Sequence, residues 1–110
     1  MLTFPGKPRF FIYQGVTDIR KSFEGLSGIV EDVFPDQLLT GAYFIFLNKS
    51  RDRMKVLYWD TDGLAIWYKH LQKGTFSKKS NEGPMINRRD FLMMLEGVEP
   101  RKINRRHNLP

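Results

Sequence analysis

The sequence predicts an α+β fold: a single domain with a largely antiparallel β-sheet, packed by one helix in the N-terminal half of the chain and by a second, C-terminal helix. Three observations indicate this class. The predicted elements follow in the order strand, helix, several hairpin-linked strands, helix. The 110 residues suit one domain, and nine Phe, four Tyr and two Trp can build a packed core. The chain also contains no internal repeat that would indicate another architecture.

The first strand is predicted at residues 9–14 (RFFIYQ), which are rich in aromatic side chains. The clearest helix follows, at about residues 18–34. Five apolar residues recur there at steps of three and four and predict one buried stripe: Ile19, Phe23, Leu26, Val30 and Val33. Thr17 or Asp18 is expected to cap this helix, and Pro35 is expected to end it.

Three further strands are predicted in the middle of the chain. Residues 42–47 (AYFIFL) are apolar throughout, as expected of a central strand that is covered on both faces. In residues 53–59, alternation places Met54, Val56 and Tyr58 on one face and Arg53, Lys55, Leu57 and Trp59 on the other. The sequence DTDG at 60–63 is a strong turn signal. Residues 64–71 (LAIWYKHL) fit a helix or a strand, and the tight turn before them favours a strand.

A last helix is predicted after a polar loop, at about residues 87–96. Asn87 is its expected N-cap, and Gly97 is expected to end it. Its predicted buried face consists of Phe91, Leu92 and Leu95. We therefore expect residues 1–100 to form the domain and residues 101–110 (RKINRRHNLP) to form a basic, flexible tail.

The composition excludes several kinds of chemistry. The chain has no cysteine, which rules out disulfides and thiolate sites. No apolar run approaches the ~20 residues of a membrane span and no apolar signal stretch opens the chain, so a cytoplasmic location is expected. The two histidines, His70 and His107, fit no nucleophile, base or metal-ligand pattern. We expect no catalytic residue, no metal site and no cofactor.

Carboxylates leave one enzymatic alternative open. Asp60 and Asp62 flank a turn, and Asp52 precedes the strand that leads to it. Acidic side chains hold the cations of two-metal nucleases, so a small magnesium-dependent nuclease is one hypothesis. Aspartates in such turns more commonly accept hydrogen bonds from backbone amides. The nuclease hypothesis is therefore weaker than the two non-catalytic hypotheses given below.

Positive charge is concentrated in two parts of the chain. The formal net charge is +6; residues 49–79 carry eight basic and three acidic side chains, and the last ten residues carry four basic and no acidic ones. Such localised charge attracts polyanions. The candidate nucleic-acid-binding residues are Arg20, Lys21, Arg51, Arg53, Lys55, Lys69, Lys73, Arg101, Lys102, Arg105 and Arg106. Trp59 and Trp67 stand in the same strands, and a core role is favoured for them over stacking on bases.

Four blocks of the chain resemble a known family. They are TDIRKSFEGL (residues 17–26), RMKVLYWD (53–60), the segment from GL through YKHL to GTF (63–76) and LEGV (95–98). In this order they are similar to the small TnpB-type accessory protein, encoded by the second open reading frame, of the "sixty-six" family of bacterial insertion sequences. Ile19, His70 and Gln72 depart from the residues usual in that family. The resemblance implies a part in transposition beside a separate, larger transposase, and it implies no catalytic residues.

Two hypotheses follow about how such an accessory protein would assist the transposase. The first is a DNA-binding accessory factor that contacts phosphates through the basic hairpin region and the tail. The second is a protein-interaction module that docks on the transposase, or on another element-encoded protein, without touching DNA. Its interface would consist of the motif at residues 18–21 (DIRK) and exposed aromatic residues. DNA and an element-encoded protein are thus the expected partners.

Overall fold

The computed structural model describes residues 6–76 and 83–95, which contain five strands and two helices. The elements are β1 (Phe10–Ile12), α1 (Phe23–Val33), β2 (Tyr43–Leu47), β3 (Arg53–Asp60), β4 (Gly63–His70), β5 (Met85–Ile86) and α2 (Arg88–Leu95). The strands form one mostly antiparallel sheet with a helix on each face, which confirms the predicted α+β class. Within the described residues, no helix is long and apolar enough to cross a membrane.

The strand order in the sheet is β4-β3-β2-β1-β5. β1 and β2 are parallel neighbours, as strands joined by a crossover helix can be, whereas every other neighbouring pair is antiparallel. β2 is central and buried along its whole length, as its uninterrupted apolar run predicted. β5 is not predicted from the sequence, since a strand of two residues carries no periodicity and forms by pairing with β1.

β3 and β4 form a long hairpin that ends in a two-residue turn, Thr61 and Asp62. Thr61 adopts a left-handed backbone conformation with φ of 58°. Asp60 pairs with Gly63 across the turn, and the pairing continues back to Arg53 opposite His70. Residues 64–71 are therefore strand as far as His70, as the turn signal before them indicated.

α1 begins later than predicted. The helix starts at Phe23 with Ser22 as its N-cap, and neither Thr17 nor Asp18 caps it. The reason is a competing local turn: the Asp18 carboxylate accepts a hydrogen bond (3.0 Å) from the backbone N–H of Arg20. Thr17 in turn donates its N–H to the last carbonyl of β2 at 3.0 Å, which holds the chain against the sheet before the helix can begin.

The end and the buried face of α1 are partly as predicted. The helix ends at Val33, two residues before Pro35, which confirms the stop. Leu26 and Val30 are fully buried, but Phe23 and Val33 are 46% and 43% exposed, because the first and last turns contribute less to the contact with the sheet. The α1-side core consists of Phe11, Leu26, Val30, Phe34, Ala42, Phe44, Phe46 and Leu57.

α2 packs on the opposite face of the sheet. Asn87 is its N-cap, as predicted: its Oδ1 accepts a hydrogen bond (2.8 Å) from an N–H in the first turn. Phe91 and Met94, which are three residues apart and so lie on one side of the helix, are buried. Leu92 is 39% exposed, so its assignment to the buried face was wrong. The α2-side core consists of Phe10, Ile12, Tyr43, Ile45, Leu47, Met54, Val56, Phe76, Ile86, Phe91 and Met94. The stop expected at Gly97 lies outside the described residues.

Candidate nucleic-acid interface

The side of the β3–β4 hairpin that faces α1 changes from apolar to basic along its length. On β3, Leu57 is buried beneath α1, and the next two residues on the same side are Lys55 and Arg53. The strand register places Tyr68 opposite Lys55 and His70 opposite Arg53. This end of the hairpin therefore presents two cations and two ring side chains on one surface.

Lys55 connects the hairpin to the segment before α1. Its Nζ donates a hydrogen bond (2.8 Å) to the Lys21 carbonyl and lies 5.0 Å from the centre of the Tyr68 ring. The Tyr68 hydroxyl accepts a hydrogen bond (3.2 Å) from Nη1 of Arg53. A cation over a ring is attracted by its π-electrons, so these contacts hold the ring in place. Two basic side chains, Arg53 and Lys55, thus meet at one exposed tyrosine, and Lys55 joins them to the backbone of Lys21.

Asn48 organises the turn between β2 and β3, which precedes Arg53. Its Oδ1 accepts hydrogen bonds from the backbone N–H of Asp52 (3.1 Å) and of Arg53 (3.0 Å), and its Nδ2 donates to the Asp52 carboxylate (2.8 Å). The bond from Nδ2 is the main reason that the pKa of Asp52 lies below its ordinary value. His70 Nε2 lies 3.6 Å from the same carboxylate. An ionised Asp52 therefore helps to fix the turn that orients Arg53.

Residues 71–76 return along this turn and bring further charge to it. The N–H of Leu71 donates to the Asp52 carbonyl (2.8 Å), and the N–H of Phe76 donates to the Arg51 carbonyl (2.7 Å). Lys73 lies between these two contacts and is exposed, so it shares this end of the hairpin with Arg51. We use the name basic hairpin surface for Lys21, Arg51, Arg53, Lys55 and Lys73.

Arg20 stands beside Lys21 in the sequence, but its charge is offset locally. Its Nη2 and Nε lie 2.8 Å and 3.0 Å from the two carboxylate oxygens of Asp18. The hydrogen bond from Arg20 lowers the pKa of Asp18, and the carboxylate raises the pKa of Arg20. Because the pair adds no net charge, we expect Arg20 to attract a polyanion less than Lys21 does. Ile19, the apolar residue of this motif, is half-buried.

Lys69 lies on the other side of the sheet. It pairs with Met54, whose side chain belongs to the α2-side core, and its Nζ donates a hydrogen bond (2.7 Å) to the Leu95 carbonyl at the end of α2. A cation at a helix C-terminus interacts favourably with the last carbonyls. Lys69 therefore does not join the basic hairpin surface. Four candidates of the tail lie outside the described residues: Arg101, Lys102, Arg105 and Arg106.

The exposed aromatic residue of this surface is Tyr68 rather than a tryptophan. Trp67 is half-buried and packs against the α2-side core, and Trp59 is half-buried on the α1 side of β3. Tyr68 is 47% exposed. Tyr68 is not among the candidates predicted from the sequence, and the hairpin register is the signal that identifies it.

The carboxylates of the nuclease hypothesis lie at opposite ends of β3. Asp60 and Asp62 belong to the hairpin turn, where the Thr61 hydroxyl lies 3.5 Å from Asp60 Oδ1. Asp52 is at the far end of the strand, roughly 25 Å away at ~3.3 Å per residue. Over residues 6–76 and 83–95, no three His, Cys, Asp or Glu side chains form a group that could hold a metal ion.

A second surface feature lies at the C-terminal end of α1. It is a groove of about 490 Å³ lined by Glu31, Pro35, Asp36, Leu38, Leu39 and Thr40. Leu39 is 62% exposed, and two of the lining residues are acidic. An apolar groove with an acidic rim suits a protein segment that carries apolar and basic side chains.

Known proteins are similar to this chain over most of its length. The model of the family described as IS66 Orf2 like protein matches residues 8–105. Protein y4hO of Sinorhizobium fredii (strain NBRC 101917 / NGR234) is 35% identical over 78 residues, which cover 71% of this chain and 68% of y4hO. Protein y4jC of the same strain is 24% identical over 100 residues, which cover 89% and 86% of the two chains. No solved structure matches. The family match confirms the resemblance carried by the four blocks: the chain belongs to the IS66 Orf2-like family of insertion-sequence accessory proteins.

Proposed function

We propose that this accessory protein takes part in transposition by holding DNA on the basic hairpin surface. The observation that carries the proposal is that four stretches which carry cations meet at one end of the sheet: the hairpin, the turn before it, the segment after it and the residues just before α1. These cations are Lys21, Arg51, Arg53, Lys55 and Lys73. Each phosphate that a cation neutralises releases condensed counterions, which favours binding.

The beginning of α1 supports the same assignment. The first N–H groups of a helix have no acceptor within the helix, and the Ser22 side chain makes no capping hydrogen bond to them. The helix dipole favours an anion at this end. Glu24 adds one negative charge in the first turn, against the cations of Lys21 and Lys55 next to it. The local balance remains positive.

The proposed contact is with the DNA backbone. Contacts to phosphates fix the position of a protein on DNA and carry no direct information about base sequence. We therefore expect a general affinity for DNA with a strong salt dependence. The DNA so held would be presented to the separate transposase, which supplies the chemistry.

The test is the salt dependence of DNA affinity, measured by fluorescence anisotropy with a labelled duplex. The affinity should fall steeply with salt, and the double variant Arg53→Ala/Lys55→Ala should reduce the slope of log K against log salt by about two, since about 0.9 counterion is released per phosphate contact. The matched control is Arg88→Ala/Arg89→Ala, which removes the same charge from α2 on the opposite face of the sheet. The control should change the slope by much less than the hairpin variant does. Absence of binding at low salt, or equal slopes for the two variants, would contradict the proposal.

The acidic groove favours a second candidate function, docking on the element-encoded transposase. The exposed Leu39 beside Glu31 and Asp36 is the specific observation for it. We expect the transposase to co-purify with this chain after nuclease treatment, and Leu39→Glu to abolish the association by placing a third charge in the apolar part of the groove. If nuclease treatment releases the transposase from the wild-type protein, DNA was the bridge and the groove has no such role.

A further inference from the structure

Tyr68 is unusual among the aromatic residues of the sheet because its ring is both exposed and held. It lies on β4, the edge strand of the sheet, and is 47% exposed. The Lys55 ammonium lies 5.0 Å from the centre of its ring, and its hydroxyl accepts a hydrogen bond from Arg53. Lys55 is itself fixed by the Lys21 carbonyl. The ring therefore loses little conformational freedom if a flat partner stacks on it.

The surroundings of this ring combine the two kinds of group that bind unpaired nucleotides, an aromatic ring and cations. Bases of single strands stack on aromatic side chains while cations next to the ring bind the phosphates. Arg53 and Lys55 are such cations, and both touch Tyr68. A base within a duplex already has neighbours on both faces and is not available for stacking on a protein ring. Such a ring would distinguish single-stranded DNA from duplex DNA, whereas the cations alone would not.

We propose that the basic hairpin surface prefers single-stranded DNA, with one unpaired base stacked on the Tyr68 ring and the flanking phosphates bound by Arg53 and Lys55. This inference rests on the proposed function, because both use the same cations. It adds the class of DNA that the surface selects. It also gives Tyr68 a binding role that the charge of the surface does not require.

The test compares a labelled oligo-dT with the oligo-dA·oligo-dT duplex of the same length at the same salt concentration. The wild-type protein should bind oligo-dT more tightly. Tyr68→Leu, which keeps an apolar side chain on the strand, should weaken oligo-dT binding about tenfold and duplex binding far less. Tyr68→Phe keeps the ring and loses the hydrogen bond from Arg53, so it should restore most of the affinity for oligo-dT.

A second measurement does not depend on the variant folding. The wild-type protein is irradiated with an oligo-dT that carries 5-iododeoxyuridine, and the cross-linked peptide is identified by mass spectrometry. The cross-link should lie on Tyr68. A cross-link on another part of the chain would overturn the inference.

The outcomes separate this inference from the proposed function. Equal affinity for the two DNAs, or an equal loss on both in Tyr68→Leu, would overturn the single-strand preference and leave DNA binding intact. Absence of binding to either DNA at low salt would overturn both proposals.

Discussion

Replacing Asn48 by Ala should destabilise the protein and disturb the site together, because one side chain orders the turn before β3. Asn48 Oδ1 accepts two backbone hydrogen bonds, from Asp52 at 3.1 Å and from Arg53 at 3.0 Å. An intramolecular hydrogen bond contributes about 1 kcal/mol, so the loss of these two should lower the free energy of unfolding by about 2 kcal/mol. The bond from Nδ2 to the Asp52 carboxylate adds to this loss.

The assay is urea unfolding of the wild-type and variant proteins. At an m-value of about 2 kcal/mol per molar urea, the midpoint should fall by about 1 M with m unchanged. The matched control is Asn87→Ala at the N-cap of α2, which removes the same amide but only one such bond to the backbone and should cost about 1 kcal/mol. An Asn48 variant no less stable than this control would refute the reasoning.

The pH dependence of the same variant tests the role of Asp52. The folded-state pKa of Asp52 is lowered, chiefly by Asn48, so its ionised form stabilises the fold above the unfolded pKa of about 4 and this stabilisation disappears as the pH falls through the folded pKa. The stability difference between wild type and Asn48→Ala should therefore be larger near neutral pH than in strong acid. An equal difference at both would contradict the contact with the carboxylate.

Three further predictions use the same unfolding assay. Leu26→Ala, at a fully buried position, should lower the free energy of unfolding by about 2–5 kcal/mol. Phe23→Ala should lower it much less, because that side chain is 46% exposed. Similar losses would contradict the assigned faces of α1. Lys69→Met removes the hydrogen bond to the Leu95 carbonyl and should cost about 1 kcal/mol, while DNA affinity falls by less than in Arg53→Ala/Lys55→Ala; the reverse ranking would place Lys69 in the DNA surface. Gly74→Ala forces a side chain into a backbone conformation with φ of +77° and should cost about 1 kcal/mol, and a neutral effect would contradict that conformation.

Features that depend on short stretches of sequence could be predicted. The apolar run of β2 and the alternation of β3 appear in the structure as expected, because period-two patterning reports directly on which faces are covered. The end of α1 before Pro35 and the N-cap Asn87 were also predictable, since each acts through its own backbone neighbourhood. The start of α1 was not, because Asp18 bonds the Arg20 backbone and forms a turn that helical periodicity does not reveal.

The candidate site depends on pairing between distant residues, and such pairing is harder to predict from the sequence. Alternation correctly places Arg53 and Lys55 on one face of β3. Assigning β4 to the same faces requires the register, which the turn between β3 and β4 fixes by pairing Lys55 with Tyr68. Counting residues back from that turn places Tyr68 opposite Lys55 and Lys69 opposite Met54, so it assigns Tyr68 rather than Lys69 to the face of Arg53 and Lys55. The return of residues 71–76 to the turn before β3 could not be predicted by counting residues, since it depends on the backbone hydrogen bonds that residues 71 and 76 make to that turn.

The most direct test of the central claim is an NMR titration of the isotope-labelled protein with DNA at low salt. If the basic hairpin surface holds DNA, the amide shifts that change most should belong to residues around Lys21, Arg53, Lys55 and Tyr68. The α2 face of the sheet should change little. Changes concentrated instead around Leu39 at the acidic groove or on α2, or no changes at all, would contradict the claim.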